Sequence, residues 1–268
     1  MQYLDDVMYE PLIVRAASLG HAWAKAVTAM MTHGFNRFVD APEYKCWTKD
    51  SPMFIIVEDP EAEPRMHPLT PTPRDMADDY ARNVINGYPS ESTENEFDYT
   101  YFSRLRCYPD CEVRASLPNR SSNESLPELV DKISGGKCVV QRIDQVKMAI
   151  ENFRKDPTRR SVVMHTWIPA RDLVKFGPKR EKSSSPCLVT IHPQIVENKL
   201  HFFVTMKTND LFNAFPLNAF GFVALQKHMA EEIGVGVGMY THFSVSMQIY
   251  EDMYEMAREV VESELIKE

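Results

Sequence analysis

A strongly apolar stretch of helical length, Leu217 to Ile233, lies between two runs that read as strands, Leu200 to Met206 and Tyr240 to Tyr250. A helix this apolar must be covered, and the flanking strands supply a sheet to cover it, so the chain has to fold around helix-on-sheet packing. Just upstream, Cys187 to His192 is another apolar run, joined to Leu200–Met206 by a turn near Glu197 and Asn198, which reads as a hairpin. Met53 to Val57 (MFIIV), closed by Asp59 and Pro60, reads as a buried strand, and Ser161 to Trp167 as a further one. Helices are expected over Pro11–His33, where Leu12, Ala16, Leu19, Trp23, Val27 and Met30 recur before Gly34, then over Pro73–Ile85 and Ile143–Arg154, and from Glu251 onward. Pro89–Asn95, Pro118–Ser125 and the basic stretch Lys175–Ser185 read as exposed loops. Neither a repeat nor a linker interrupts the pattern. The expected fold is therefore α+β, one domain over residues 1–268, with helices packed on a mixed sheet.

Composition narrows the function. With 38 acidic against 30 basic residues in a chain of 268, there is no overall electrostatic footprint for a nucleic-acid polymer. The start, MQYLDDVMYE, has neither a basic leader nor an apolar run, and no stretch reaches the ~18 apolar residues of a membrane span, so a cytoplasmic protein is expected. Cys46, Cys107, Cys111, Cys138 and Cys187 form an odd set without CxxC spacing and read as reduced thiols. Without a His/Cys pair at zinc-ligand spacing near Cys107 and Cys111, no metal is expected.

Three short clusters can carry chemistry. In Asp156-Pro157-Thr158-Arg159-Arg160, paired guanidinium forks precede an apolar strand and can grip a phosphate dianion, or simply decorate a solvated turn. The basic loop 177–185 has the same two readings. Cys187, in Ser185-Pro186-Cys187, stands where a polar loop enters a strand; near cations it would be a competent nucleophile, and otherwise a small packing residue. Lys207-Thr208-Asn209-Asp210 with Pro216-Leu217-Asn218 gathers a cation, a hydroxyl, a carboxylate and an amide between one strand and one helix, although Asn218 could serve only as a cap.

The order and spacing of these patterns is more telling than any one of them. Ile143-Asp144-Gln145, DPTRR with its strand to Trp167, Pro186-Cys187, K-T-x-D-x5-P-x-N and Gln248-Ile249-Tyr250 together resemble the thymidylate synthase family over residues 97–253, most specifically from Ile143 to Tyr250. The resemblance implies a homodimer packed sheet to sheet. It also implies a reaction in which Cys187 adds to C6 of a pyrimidine nucleotide, so that C5 can attack the methylene of 5,10-methylenetetrahydrofolate or a pterin analogue. Arg159 and Arg160 resemble the pair that reaches the partner subunit's nucleotide phosphate. Lys207 and Thr208 stand where the family has an Arg-Ser phosphate contact, Asp210 where a carboxylate orients the folate, Asn218 where an amide reads the base, and Gln248 and Tyr250 where a His and a Tyr hold the sugar. An amide at Asn218 favours uracil, since the family's cytidylate hydroxymethylase branch carries a carboxylate there.

The chain departs from the family pattern in four places. Leu188 replaces a histidine after the nucleophile, and Gln248 replaces the sugar-binding histidine. The family's glutamate base, expected on the helix before Tyr99-Thr100-Tyr101, has no clear match; Asp78 and Asp79 are the nearest carboxylates, with Asp79 the candidate base. Only 18 residues follow Tyr250, fewer than in family members whose tail closes over the folate; weaker closure would admit water to the reaction, but a shorter, archaeal-like branch of the family also lacks that tail, and the resemblance is to such a short, archaeal- or phage-like branch. Three functions follow: conversion of dUMP to dTMP in the first place; 5-hydroxymethylation of dUMP, dCMP or CMP ending in water addition; or a catalytically silent nucleotide- or RNA-binding regulator.

Overall fold

The computed structural model describes residues 10–41, 44–86, 100–106, 108, 143–169, 172 and 185–266. The expected loops at 89–95 and 118–125, most of the basic loop, Tyr99 and Cys107, Cys111 and Cys138 lie outside these residues.

The first element among the described residues is β1 (Leu12–Ala16), which pairs in parallel with Met53–Val57 and is followed by α1 (Leu19–His33). The expected helix from Pro11 thus begins eight residues late. Val14 and Ala16 face the core while Ile13 is exposed, an alternation that suits pairing, and Ser18 stops the strand by capping α1 with its side chain toward the His21 amide. Gly20 is required there: a Cβ would stand 2.6 Å from the Pro64 carbonyl oxygen, to which the Gly20 amide donates at 2.9 Å.

β2 (Phe35–Ala41) and β3 (Tyr44–Val57) form an antiparallel pair, so the expected strand MFIIV is the end of a far longer one. α2 (Arg74–Asn86) and the short α3 (Tyr101–Arg106) follow. α4 (Gln145–Lys155) is capped by Asp144, whose carboxylate accepts from the Lys147 amide at 2.9 Å. Of the strand expected at Ser161–Trp167, only β4 (Met164–His165) pairs. Its neighbours are spent otherwise: the Thr166 carbonyl accepts from Arg104, and the Tyr108 hydroxyl donates to the Trp167 carbonyl at 3.1 Å.

β5 (Leu188–Val196) and β6 (Lys199–Asp210) form the expected hairpin, closed by Glu197 and Asn198 at φ 51° and 58°, the doubly left-handed turn that matches strand twist. α5 (Ala214–Ile233) ends at Gly234 with φ 88°, and β7 (Gly236–Tyr250) returns parallel to β6. A 3-10 turn (Glu251–Met253) leads into α6 (Tyr254–Leu265).

Among the described residues these strands make one mixed seven-stranded sheet in the order β1-β3-β7-β6-β5-β4, with β2 added on β3. Its inner face carries Met53, Ile55, Phe202, Val204, Met206 and Tyr240, all at most 2% exposed beneath α1 and α5. Burial of each such side chain contributes roughly 1.5–3 kcal/mol. Trp23 fastens α1 to the end of β6 by donating its indole N–H to the Leu211 carbonyl at 2.9 Å. Arg104 and Asp172 form a buried forked ion pair at 2.7 and 3.0 Å that ties α3 to the segment after β4.

Along β6 and β7 the alternation changes phase. Phe202, Val204 and Met206 face inward, then Asn209 and Leu211 are the buried positions; Tyr240, His242 and Ser244 are buried, then Met247 and Ile249 join the core. β7 bulges at that point, where Ser51 pairs with Met247 but Met53 pairs with Ser244. No helix among the described residues is long and apolar enough to cross a membrane.

Candidate active site

Most of the sequence-selected residues meet at the end of the sheet beyond that phase change. Cys187 leads into β5, and its carbonyl accepts from the Lys207 amide of β6 at 2.8 Å. The Cys187 Sγ stands 3.3 Å from Thr208 Oγ1, and the residue is only partly buried. The segment is braced from β4, for Trp167 donates its indole N–H to the Pro186 carbonyl at 3.0 Å and the Thr166 hydroxyl donates to the Leu188 carbonyl. Lys207 Nζ donates to Ser185 Oγ.

One strand over, Thr208 pairs with Ser246 and Asp210 with Gln248, which in turn pairs with Asp50 of β3. Gln248 is not free to swing. Its Nε2 donates to Ser246 Oγ at 2.8 Å and to Asp50 Oδ2 at 3.3 Å, while Ser246 Oγ donates to the same carboxylate at 2.9 Å and Arg37 approaches it at 3.1 Å. Both of these contacts of Gln248 thus use its amide nitrogen as the donor. Tyr250 ends β7, opposite Thr48. Asp210 accepts from the amides of Phe212 and Asn213 and from the Asn213 side chain, yet burial pushes its carboxyl above the ordinary value against those three contacts.

Asn218, on the first turns of α5, is 7% exposed. It is no helix cap; that position belongs to Asn213. Its Oδ1 accepts from the Tyr80 hydroxyl at 3.0 Å, and its Nδ2 lies 3.4 Å from Asn209 Oδ1. Asn209 Nδ2 lies 3.2 Å from His242 Nε2, whose other ring nitrogen is 2.9 Å from the Tyr240 hydroxyl. Burial holds His242 down at about 3 and pushes the Tyr80 phenol well above its ordinary range.

The remaining candidates lie at the surface. Arg159 and Arg160 are exposed, with Arg159 donating to the Asn152 side chain and the Arg160 carbonyl 3.1 Å from His192 Nε2. Hydrogen bonds from Thr158 hold Asp156 below its ordinary range and shape that turn. Asp79 pairs with Arg82 at 3.1 Å and Asp78 with Arg74 at 3.3 Å, both on α2 itself. Within Ile143-Asp144-Gln145, Asp144 caps α4 and Gln145 braces β4, donating to the His165 carbonyl at 2.7 Å.

Sequence reasoning missed Asp50, Ser246, Tyr80 and His242. The alternation of Ser244, Ser246 and Gln248 with apolar residues in the second half of β7 was a readable signal; Tyr80 lies beside the apolar positions Ala77, Ala81 and Val84 and looks like packing. Among the described residues no group of three or more His, Cys, Asp or Glu side chains could hold a metal ion.

The strand ends thus gather a partly accessible thiol, a cation, hydroxyls, a carboxylate and a buried amide, residue types that can bind polar groups and supply a nucleophile. The thymidylate synthase family model matches residues 79–267, well over half of the chain, and the chain belongs to that family of one-carbon transferases. Proteins named "Putative thymidylate synthase" are similar to it: that of Methanosarcina barkeri is 24% identical over 249 residues, 93% of this chain and 94% of the relative. The Methanocaldococcus jannaschii protein is 27% identical over 244 residues, 90% of this chain and 91% of its own, and that of Methanothermobacter marburgensis 32% over 121 residues, 45% and 51%. The family uses methylenetetrahydrofolate as co-substrate.

Proposed function

We propose that the protein is a homodimeric enzyme converting dUMP to dTMP, with Cys187 as the nucleophile toward C6 of the pyrimidine. The observation that carries this reading is the position of Cys187 Sγ, partly accessible and 3.3 Å from Thr208 Oγ1, among polar groups from three neighbouring strands and α5. Attack by sulfur at C6 supplies electron density to C5, which takes up the one-carbon unit; loss of the C5 proton and, once the added carbon has been reduced to a methyl group, expulsion of Cys187 restore the ring. Lys207 and Thr208 take the phosphate, Lys207 as a point charge rather than a fork. Gln248 and Tyr250 take the sugar, and Asn218 reads the base.

The half-buried Asp210 carboxylate, a hydrogen-bond acceptor, fits the N–H-rich edge of a reduced pterin. Methylenetetrahydrofolate, when bound, supplies the one-carbon unit and the hydride that completes the methyl group. Asp79 remains the carboxylate candidate for the C5 proton, although its ion pair with Arg82 faces solvent.

The dimer reading is supported by the uncovered face of the sheet. Ile13, Phe203 and Val245 are 72%, 42% and 48% exposed there, and Phe54 and Phe243 stack with ring centres 4.2 Å apart. A partner sheet laid on this face would cover it and bring the exposed Arg159 and Arg160 of one subunit to the phosphate of the other.

Incubation with dUMP or dCMP and methylenetetrahydrofolate tests the reaction. Dihydrofolate absorbance with a 14 Da gain in dUMP is expected; a product heavier by a hydroxymethyl group, without dihydrofolate, would reassign the protein to hydroxymethylation. Cys187→Ser should abolish tritium release from C5-labelled dUMP, and nucleotide binding without any release in the intact protein would leave a regulator.

A further inference from the structure

Resting on the reading of Asn218 as the base-contacting amide, we infer that His242, acting through Asn209, sets which way the Asn218 amide points and so decides whether uracil or cytosine is accepted, with Tyr80 holding the far end.

An amide has one accepting end and one donating end, so a row of amides has a direction. Here the Tyr80 hydroxyl donates to Asn218 Oδ1 at 3.0 Å, Asn218 Nδ2 points to Asn209 Oδ1 at 3.4 Å, and Asn209 Nδ2 points to His242 Nε2 at 3.2 Å. Neither asparagine can turn over alone, because each is engaged at both ends; turning both reverses the whole row. The row as built ends on a lone pair at Nε2. The ring hydrogen then sits on Nδ1 and donates to the Tyr240 hydroxyl oxygen at 2.9 Å. Burial keeps the ring neutral, so it offers one accepting and one donating nitrogen at any working pH. Ser244 Oγ, 3.1 Å from Nε2, is the rival. A hydrogen on Nε2 would donate to that hydroxyl and leave it facing the N–H of Asn209, which would drive the row into reverse.

The direction matters because the two pyrimidines are mirror images in this respect. Uracil offers an N3–H donor beside an O4 acceptor, and cytosine an N3 acceptor beside an N4 donor. Asn218 keeps one lone pair and one N–H beyond those used in the row. Reversal exchanges their places, so the same side chain that matches one base mismatches the other.

Tyr80 is built into this position. A Cβ on Gly221 of α5 would come within 2.6 Å of its ring, so glycine leaves the space in which the ring lies. Its hydroxyl acts as donor and positioning group, since burial raises the phenol far above any pH at which it could serve as a base. Asn209, the variable letter of K-T-x-D, and His242, on the inner face of β7, are likewise positioning residues that need not touch the nucleotide.

The direction is read first in the free protein, by long-range 1H–15N correlation of labelled histidine with the His242 signal assigned by sequential backbone connectivity. Hydrogen on Nδ1 is expected; hydrogen on Nε2 overturns the inference without involving any ligand. Binding of dUMP and dCMP is then compared by calorimetry for the wild type, Tyr80→Phe and Asn209→Ser, each checked for a cooperative melt. The preference for dUMP over dCMP should fall at least tenfold in both variants, because Asn218 becomes free to turn. An unchanged preference in variants that melt cooperatively overturns the inference, and should both variants fail to fold, the histidine spectrum of the wild type decides alone. Wild-type protein that binds neither nucleotide would instead defeat the pyrimidine reading itself.

Discussion

Phe202 and Phe203 are neighbours on β6 and look out from opposite faces of one sheet: the first is fully buried beneath the helices, the second 42% exposed. The inner face combines a dry apolar core with a row of internally bonded polar groups ending at His242, whereas the outer face carries exposed apolar side chains such as Ile13, Phe203 and Val245 and, past the bulge in β7, the polar cluster of Asp50, Ser246 and Gln248. Composition alone does not separate the faces, since both are rich in aromatic and branched residues. The difference lies in what covers them, and the outer face is where a second molecule is expected.

Phe202→Ala should produce the largest change, lowering stability by about 3–5 kcal/mol through lost transfer energy and the cavity left behind. A urea midpoint that hardly moves would erase the contrast between the faces. His242 supplies the next effect. Its folded value of about 3 lies below the ordinary 6.5, so as pH falls below 6.5 the unfolded chain binds a proton that the folded protein refuses. Stability should therefore be full above pH 6.5 and decline by up to about 1.4 kcal/mol per pH unit until pH 3 is approached. Urea midpoints at pH 7, 6 and 5 should show this slope, and His242→Gln should flatten it. Phe203→Glu should change subunit stability least, by less than about 0.5 kcal/mol, yet shift sedimentation from dimer to single chain and take activity with it. A variant that still sediments as the parent would show that the outer face is not the interface.

Much of the fold was legible because local rules and tertiary packing agree in the C-terminal half. The hairpin at Glu197–Asn198 and the apolar α5 both follow from local pattern. β1 was hidden because Leu12 and Ala16 also fit the period of the helix that follows, and only the distant Met53–Val57 decides between the two. β2 and the first half of β3 carry Asn36, Arg37, Lys45 and Lys49, charged and polar residues that blur alternation. In the site, Cys187, Lys207, Thr208, Asp210 and Asn218 were visible as short patterns, and the fold brings them together. Asp50 was invisible because nothing local marks a carboxylate whose partners are some two hundred positions away on β7. Tyr80 was overlooked in favour of its neighbour Asp79, since carboxylates advertise chemistry and buried phenols do not.

The bulge in β7 has a consequence for how this chain can vary. Above it the even-numbered residues Tyr240 and His242 point toward the helices; below it Met247 and Ile249 do, which frees Ser246 and Gln248 to meet Asp50. Removing one residue between Ser244 and Met247 would restore strict alternation, drive an amide into hydrocarbon and expel two core side chains. Spacing at that step thus behaves like a reading frame, tolerant of many substitutions but of no single insertion or deletion.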